Sequence, residues 1–217
     1  REKAKKVYLL NHDYSYGRRH NGWWWESNQK KLPDLPCSGL HGVSQFNNLA
    51  GVLMCMAALR SQLPVSDQLI RTVLPEIALP GRFQVIDGPP QIILDVSHNP
   101  DSIALLSENL QQHPVTGKTH AVVAMLKDKD ICESLRQILP SIDHWYFAGL
   151  CVSRGEKAQH LQTSLQKLSS VSDSRAFATV ERAWEHALNQ AGDCDRVVVF
   201  GSFHTVGVIL DSLKLNK

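Results

Sequence analysis

The residues best suited to chemistry are an aspartate and a histidine three positions apart in the run Ile92-Ile93-Leu94-Asp95-Val96-Ser97-His98-Asn99-Pro100. A carboxylate can accept hydrogen bonds from two ribose hydroxyls, and an imidazole can stack on a base or bond to one. The same pair could ligate a metal, but a metal needs three or four protein ligands, and the sequence has no second His/Asp/Glu cluster with ligand spacing. The plainer alternative is that Asp95 caps a helix and His98 packs.

The elements that must position this pair can be read around it. The apolar run 92–94 is short, continuous and bounded by Gly88-Pro89-Pro90 and Pro100, which predicts a buried strand of a parallel sheet. Asn99 as cap, Pro100 at the first helical position and Asp101 in the first turn predict a helix over 100–112, whose N–H groups would be open to an anion. From Arg82 onward strands alternate with helices, the pattern of βαβ units. Strands are expected at 83–87, 92–95, 120–125, 144–148 and 196–200, with a shorter one at 175–178. Helices are expected at 100–112, 129–139, 156–168, 180–190 and 203–214. Right-handed crossovers then give an α/β, Rossmann-like, mainly parallel sheet with helices on both faces. The loops 95–99, 127–130, 151–155 and 201–204 would share the carboxyl edge of that sheet, where such folds bind ligands, while 111–119 and 170–174 read as ordinary polar loops at the other edge.

The first third is different. Short strands are expected between residues 7 and 25, and Trp23-Trp24-Trp25 cannot all face one side of a strand, so at least one indole should be exposed or covered by a segment from elsewhere. Residues 30–42, rich in Pro, Gly and Ser, read as a loop. A helix over 48–61 follows, for which Asn47 or Asn48 could be the cap, then a second over 66–74 capped by Ser66, with a domain boundary within 75–81.

Composition narrows the function. At 217 residues and 43% hydrophobic the chain can bury a full core, and a net charge of +2 argues against a nucleic-acid or membrane partner. The cysteines, five in number, are scattered with no Cys-x-x-Cys pair, so neither a zinc cage nor a disulfide framework is suggested and a reducing cytoplasm fits best. No run of eighteen apolar residues and no signal peptide is present. The opening Arg-Glu-Lys-Ala-Lys-Lys, followed directly by Val-Tyr-Leu-Leu, reads like the interior of a domain, so the chain is expected to be part of a longer product. There is no Gly-x-Gly-x-x-Gly after a strand and no Gly-x-x-x-x-Gly-Lys-Ser/Thr, so nothing here cradles a triphosphate or its Mg²⁺. An adenosine grip alone cannot transfer a phosphoryl group; another segment must supply those parts.

The Asp-x-x-His-Asn-Pro string at 95–100, with Leu79-Pro80-Gly81-Arg82-Phe83 before it and Gly201-Ser202-Phe203-His204-Thr205-Val206 after it, resembles the C-terminal half of the folylpolyglutamate synthase/dihydrofolate synthase family of the Mur ligase superfamily. The resemblance runs from about Gln45 to the end, and Gln45-x-x-Asn48 resembles the string at the head of the last helix of the Mur-type central domain. Val96-Ser97 stands where the family commonly has Gly-Ala or Val-Ala, a departure that leaves the spacing intact.

The resemblance implies that residues 1–78 are the C-terminal part of a central ATP-binding domain and 79–217 the Mur ligase C-terminal domain. It implies nucleotide contacts from Asn48, Arg82, Asp95 and His98, the Arg82 guanidinium matching phosphate oxygens in a fork. Arg154 lies where related ligases place an amino-acid-binding arginine, and Lys127, Lys129 and His204 are further candidates for glutamate or substrate. The phosphate loop and Mg²⁺ ligands belong to the N-terminal domain, so no metal ligand is expected in this segment and it should be inactive alone. The implied reaction is ATP-dependent addition of L-glutamate to dihydropteroate, folate or both through an acyl phosphate. ATP, L-glutamate and the pterin are then the partners, with no nucleic acid or membrane, and a monomer is expected.

Two alternatives stand beside it. One is a fragment of a Mur-type peptidoglycan-precursor ligase, disfavoured by the pairing of Leu-Pro-Gly-Arg with Gly-Ser-Phe-His-Thr-Val. The other is a non-catalytic nucleotide-binding α/β module, which a start codon next to Arg1 would favour and an upstream phosphate loop would not. Asp95→Ala in the complete enzyme is expected to weaken ATP use severely with the fold intact, because the residue is read at a strand end outside the core; steady-state ATP kinetics check this.

Overall fold

Period-two alternation of aromatic residues builds the first unit, Arg1–Ala78. The computed structural model describes residues 6–40, 42–169 and 173–215, with nothing said of the side chains of Val43, Ser44 and Leu215. The expectations for the basic opening at 1–5 and for the 170–172 part of the second polar loop lie outside the described residues. Strands β1 (Tyr14–Arg19), β2 (Gly22–Ser27) and β3 (Lys31–Leu35) form an antiparallel sheet in that order. Helix α1 (Val43–Ala58) packs on it, and α2 (Asp67–Val73), capped by Ser66, follows.

Trp23 and Trp25 point to the α1 side and are 0% and 1% exposed. Their indole N–H groups donate to Pro36 O at 3.0 Å and Ala50 O at 3.1 Å, so the polar edge of each ring is satisfied. Trp24 turns to the other face and lies over Gly17 of β1, where a Cβ would sit 2.5 Å from its Nε1. The third indole is therefore half-buried against a glycine of its own sheet, with the rest of the ring exposed.

Two expectations fail in this unit. Residues 30–42 contain β3; Pro33 suggested a loop, but β3 is an edge strand, where the missing N–H costs no ladder bond. The first helix starts at Val43 and not at 48, with Gly42 as cap at φ 100° and no side-chain capping bond. Neither Asn47 nor Asn48 is the cap. Asn47 Oδ1 instead accepts from the Tyr16 hydroxyl at 2.7 Å.

In the second unit, Leu79–Lys217, the chain runs β4 (Gln84–Ile86), β5 (Gln91–Leu94), α3 (Pro100–Gln112), β6 (Thr119–Val123), α4 (Ile131–Ile138), β7 (His144–Ala148), α5 (Ala158–Leu168), β8 (Asp173–Phe177), α6 (Val180–Gln190), β9 (Arg196–Phe200) and α7 (Phe203–Leu215). The sheet order is β4-β5-β9-β6-β7-β8, and every pair is parallel except the hairpin β4–β5. Alternate strand residues feed two cores. Ile93, Ala121, Val123, Phe147 and Val198 meet α3, α4 and α5, while Leu94, Val122, Tyr146 and Val199 meet α6 and α7. The fold is Rossmann-like, with helices on both faces. Among the described residues no helix is long and apolar enough to cross a membrane.

The return crossover through α6 inserts β9 between β5 and β6. The helix after β9 therefore lies on the opposite face from those after β5 and β6, which makes the flanks of β9 switch points, the crevice that ligands use in open α/β sheets.

The amino edge carries a buried polar network. His120, 3% exposed, has Nδ1 3.1 Å from the Tyr146 hydroxyl and Nε2 3.1 Å from Asp195 Oδ2, a pattern that a neutral ring protonated at Nε2 satisfies. Asp195 also accepts the Lys118 and Gly192 amides at 2.7 Å each. Arg196 donates to Leu110 O and His113 O, placing a cation at the C-terminus of α3.

Burial pushes His120 below the ordinary imidazole value; the hydrogen bond that it donates to Asp195 opposes this, and the neighbouring His144 adds to the depression. Because the unfolded chain takes up that proton first as pH falls, the stabilisation is present above the ordinary imidazole range and is lost on acidification through the depressed folded value. Protection of the β6 and β7 amides in urea, followed by hydrogen exchange, should therefore weaken across that window, and less so in His120→Gln. Identical pH curves for the two proteins would refute it.

Candidate functional site

Asp95 leaves the carboxyl end of β5 and turns inward, 7% exposed. Its Oδ2 accepts the Phe83 N–H and its Oδ1 the Ser97 N–H, both at 2.8 Å. The carboxylate thus fastens the 81–83 turn to the 95–98 turn, and Val96 N–H donating to Gly81 O at 2.8 Å closes the same joint. Burial pushes the Asp95 carboxyl up, which the bonds from Ser97 and Phe83 and the charge of Arg82 offset only in part. The expectation of a strand-end aspartate outside the core is corrected: Asp95 holds the backbone that carries the other candidate residues.

The turn it holds is under constraint. Phe83 has φ 43°, a left-handed conformation that a large side chain adopts only when its surroundings enforce it. Gly81, at φ 70°, is wedged so that a Cβ would lie 2.9 Å from Val96 Cγ1 and 3.0 Å from Val206 Cγ1. Between these two buried residues Arg82 emerges to the surface, its Cζ 5.5 Å from the centre of the Phe203 ring.

His98 is half-buried on the same turn, with Nδ1 2.9 Å from Val96 O. That carbonyl needs a donor, so the neutral ring carries its proton on Nδ1 and leaves Nε2 as an acceptor. The start of α3, read from sequence as open to an anion, spends most of its amides within the turn itself. Asn99 Oδ1 takes the Ser102 N–H at 2.9 Å, Ser102 Oγ accepts from the Asn99 and His98 amides, and Pro100 has no N–H to give. Asn99 is the cap, as expected, and the capping box uses the donors that an anion would need.

The β9 loop completes this part of the edge. Ser202 Oγ accepts the Thr205 N–H at 3.0 Å, and the Thr205 hydroxyl donates to Ala124 O at 2.6 Å. Gly201, at φ 115°, brings the loop so close to β6 that a Cβ would meet Ala124 O at 2.5 Å. This fixes the first turn of α7, from which Phe203 and His204 project as exposed side chains. Phe203 as the neighbour of Arg82 was not singled out from sequence, though it lies within the string already quoted; a lone exposed aromatic carries no period.

Lys127, Lys129 and Arg154 form a second group on the β6 and β7 loops. Lys127 N–H donates to Arg154 O at 2.9 Å and its Nζ to Ser153 O at 3.2 Å, which ties the loops together. Asp128 Oδ2 lies 3.5 Å from Arg154 Nη1 and 3.6 Å from Lys129 Nζ. Asp128 and, through its charge on Lys127, Glu156 offset these cations only in part, and the surface pairs of Asp128 are weak enough to exchange for a ligand's carboxylates. Asn48 belongs to the other unit, on the second turn of α1, where its Nδ2 donates to Gln45 Oε1 at 3.3 Å. Among the described residues no group of three or more His, Cys, Asp or Glu side chains could hold a metal ion.

Residues 81–203 match the model of the Mur ligase, glutamate ligase domain. The dihydrofolate synthase/folylpolyglutamate synthase of Escherichia coli K12 is 34% identical over 206 residues, 94% of this chain and 46% of that protein. A structure described as E. coli FolC in complex with DHPP and ADP superposes with a TM-score of 0.84 at 31% identity, covering 95% of this chain and 47% of its own. A bifunctional folylpolyglutamate synthase/dihydrofolate synthase with Mn, AMPPNP and L-glutamate bound gives 0.82 at 36% identity, covering 96% and 48%. The chain spans about half the length of the curated relatives it matches.

Removing the Asp95 carboxylate strands two buried N–H groups and releases a strained turn. Asp95→Ala should therefore destabilise the second unit by about 1–3 kcal/mol, seen as a lower urea midpoint by hydrogen exchange at β5 and α3. An unchanged midpoint would mean that the carboxylate is not the fastening.

Proposed function

Since its residues 81–203 match the glutamate ligase domain, the chain belongs to the Mur ligase family, and we propose that it is the C-terminal part of an ATP-dependent ligase that adds L-glutamate to dihydropteroate, folate or both. The observation that carries this reading is the buried Asp95 carboxylate, which joins the Arg82 turn to the His98 turn beside β9, where such sheets take nucleotides.

The residues have distinct tasks in this reading. His98 Nε2 accepts a hydrogen bond from a ribose hydroxyl or a base amine. Asp95 holds the turns in register and offers its remaining lone pairs to the ribose. Arg82 meets phosphate oxygens with its fork of N–H groups and stabilises the charge that grows as the phosphoryl group passes from ATP, leaving ADP, to the pteroate or folate carboxylate. Asn48 contributes a contact from α1. The basic group of Lys127, Lys129 and Arg154, with His204 on α7, receives the carboxylates of glutamate, whose amine attacks the acyl phosphate.

In this reading the Mg²⁺ ligands and the phosphate loop lie outside this chain, as the resemblance implies. Arg1–Ala78 is read as the C-terminal part of the central ATP-binding domain. Its α1 exposes Val52 beside an open apolar groove formed with Tyr8, Tyr14 and Leu63, the kind of surface that further elements of such a domain would cover. A reducing cytoplasm is in keeping with the five free cysteines, and the complete protein is taken as a monomer. The folate-type relatives favour this reading over a peptidoglycan-precursor ligase or a stand-alone binding module.

The test is ATP-dependent incorporation of labelled L-glutamate into dihydropteroate and tetrahydrofolate by the complete gene product, with this segment in parallel. The complete product should be active, the segment inactive, and Arg82→Ala in the complete product should lose at least about a hundredfold in kcat/KM for ATP, the scale of a lost transition-state donor. Incorporation without ATP, or an Arg82→Ala enzyme with parental ATP kinetics, would overturn the proposal.

A further inference from the structure

Arg82 is exposed, and among the described residues its guanidinium makes no side-chain hydrogen bond or ion pair. An arginine so placed would sample many rotamers, and a phosphate ligand would have to select one at an entropic cost. Asp95 attracts it from beneath, and at the surface the described residues set the Phe203 ring against it, 5.5 Å from Cζ and within the range in which a guanidinium is attracted to an aromatic face. Resting on the nucleotide reading of Arg82, we propose that Phe203 is a positioning residue that aims the Arg82 guanidinium through its ring face.

Both ends of the pair are held by backbone that cannot yield. Arg82 sits between Gly81, which leaves no space for a Cβ against Val96 and Val206, and Phe83, fastened by Asp95. Phe203 opens α7 immediately after Gly201 and Ser202, whose loop is tied to β6 through Thr205 and Ala124. The contact of Gly81 with Val206 sets the two turns side by side. A ring that is 61% exposed, in a turn this constrained, is held at the surface and not in the core. Arg82 is the cation it faces. The ring keeps the fork at the start of α7 before nucleotide arrives, and the contact strengthens when ligand excludes water from it.

Aromaticity can be separated from bulk. In the complete gene product Phe203→Leu keeps an apolar side chain but removes the ring, while Phe203→Tyr keeps the ring. Phe203→Leu should lower kcat/KM for ATP by about two- to thirtyfold, the range of a cation–π contact from exposed to desolvated, with its thermal midpoint unchanged. Phe203→Tyr should stay within about twofold of the parent on the same scale. In an Arg82→Ala background Phe203→Leu should have no further effect, since its only route is through Arg82. If Arg82→Ala is impaired but Phe203→Leu matches the parent, or if Phe203→Leu costs the same with and without Arg82, the positioning role falls and the nucleotide reading stands. If Arg82→Ala itself leaves ATP use unchanged, the nucleotide reading falls instead.

Discussion

One buried carboxylate governs the carboxyl edge of this sheet. Asp95 is desolvated, a cost that its two backbone N–H bonds exist to offset, and those bonds come from residues on separate turns. Through one of them it stabilises Phe83 in a backbone conformation that a phenylalanine avoids, and the consequence is an arginine presented outward between two immobile neighbours. The aspartate shapes the surface from beneath before it touches anything bound there.

The two edges of the sheet use similar residues to opposite ends. At the amino edge His120, Tyr146 and Asp195 bond to one another and to backbone, and Arg196 bonds to backbone and Thr119, so most of their polarity goes into holding strands and α3 together. At the carboxyl edge the turns are as firmly built, by Asp95, Ser202 and Thr205, yet Arg82, Phe203 and His204 are left facing water. Rigid turns with exposed polar side chains are what a recognition surface requires, because the ordering cost has been met in folding.

Much of this was legible in the sequence, for definite reasons. The parallel strands are buried on both faces and so appear as unbroken apolar runs; β7 and β9 fall at 144–148 and 196–200 as read, and α3 at 100–112 because Asn99 and Pro100 mark its start unambiguously. Arg82, Asp95 and His98 were identified as a set, and the fold unites their turns. What could not be read was the use of individual polar atoms. Asn99 signals a helix start, but not that Ser102 would complete a capping box and shut out an anion. Asp95 is a carboxylate in any reading, but only the tertiary path of residues 81–83 turns it inward. In the first unit the signals misled more. Pro33 resembles a loop until its strand is known to be an edge, and α1 begins at a glycine that provides no side-chain cap, so Asn47 and Asn48 drew the boundary too late.

The order of the six strands has a further consequence at its margins. One outer strand, β4, is only Gln84–Ile86, too short to template another chain, and the other, β8, opens with Asp173 and Arg175, whose charges resist a neighbour laid alongside. A sheet finished in this way has little tendency to grow by edge-to-edge addition, so its unpaired borders are guarded against aggregation by brevity on one side and by charge on the other.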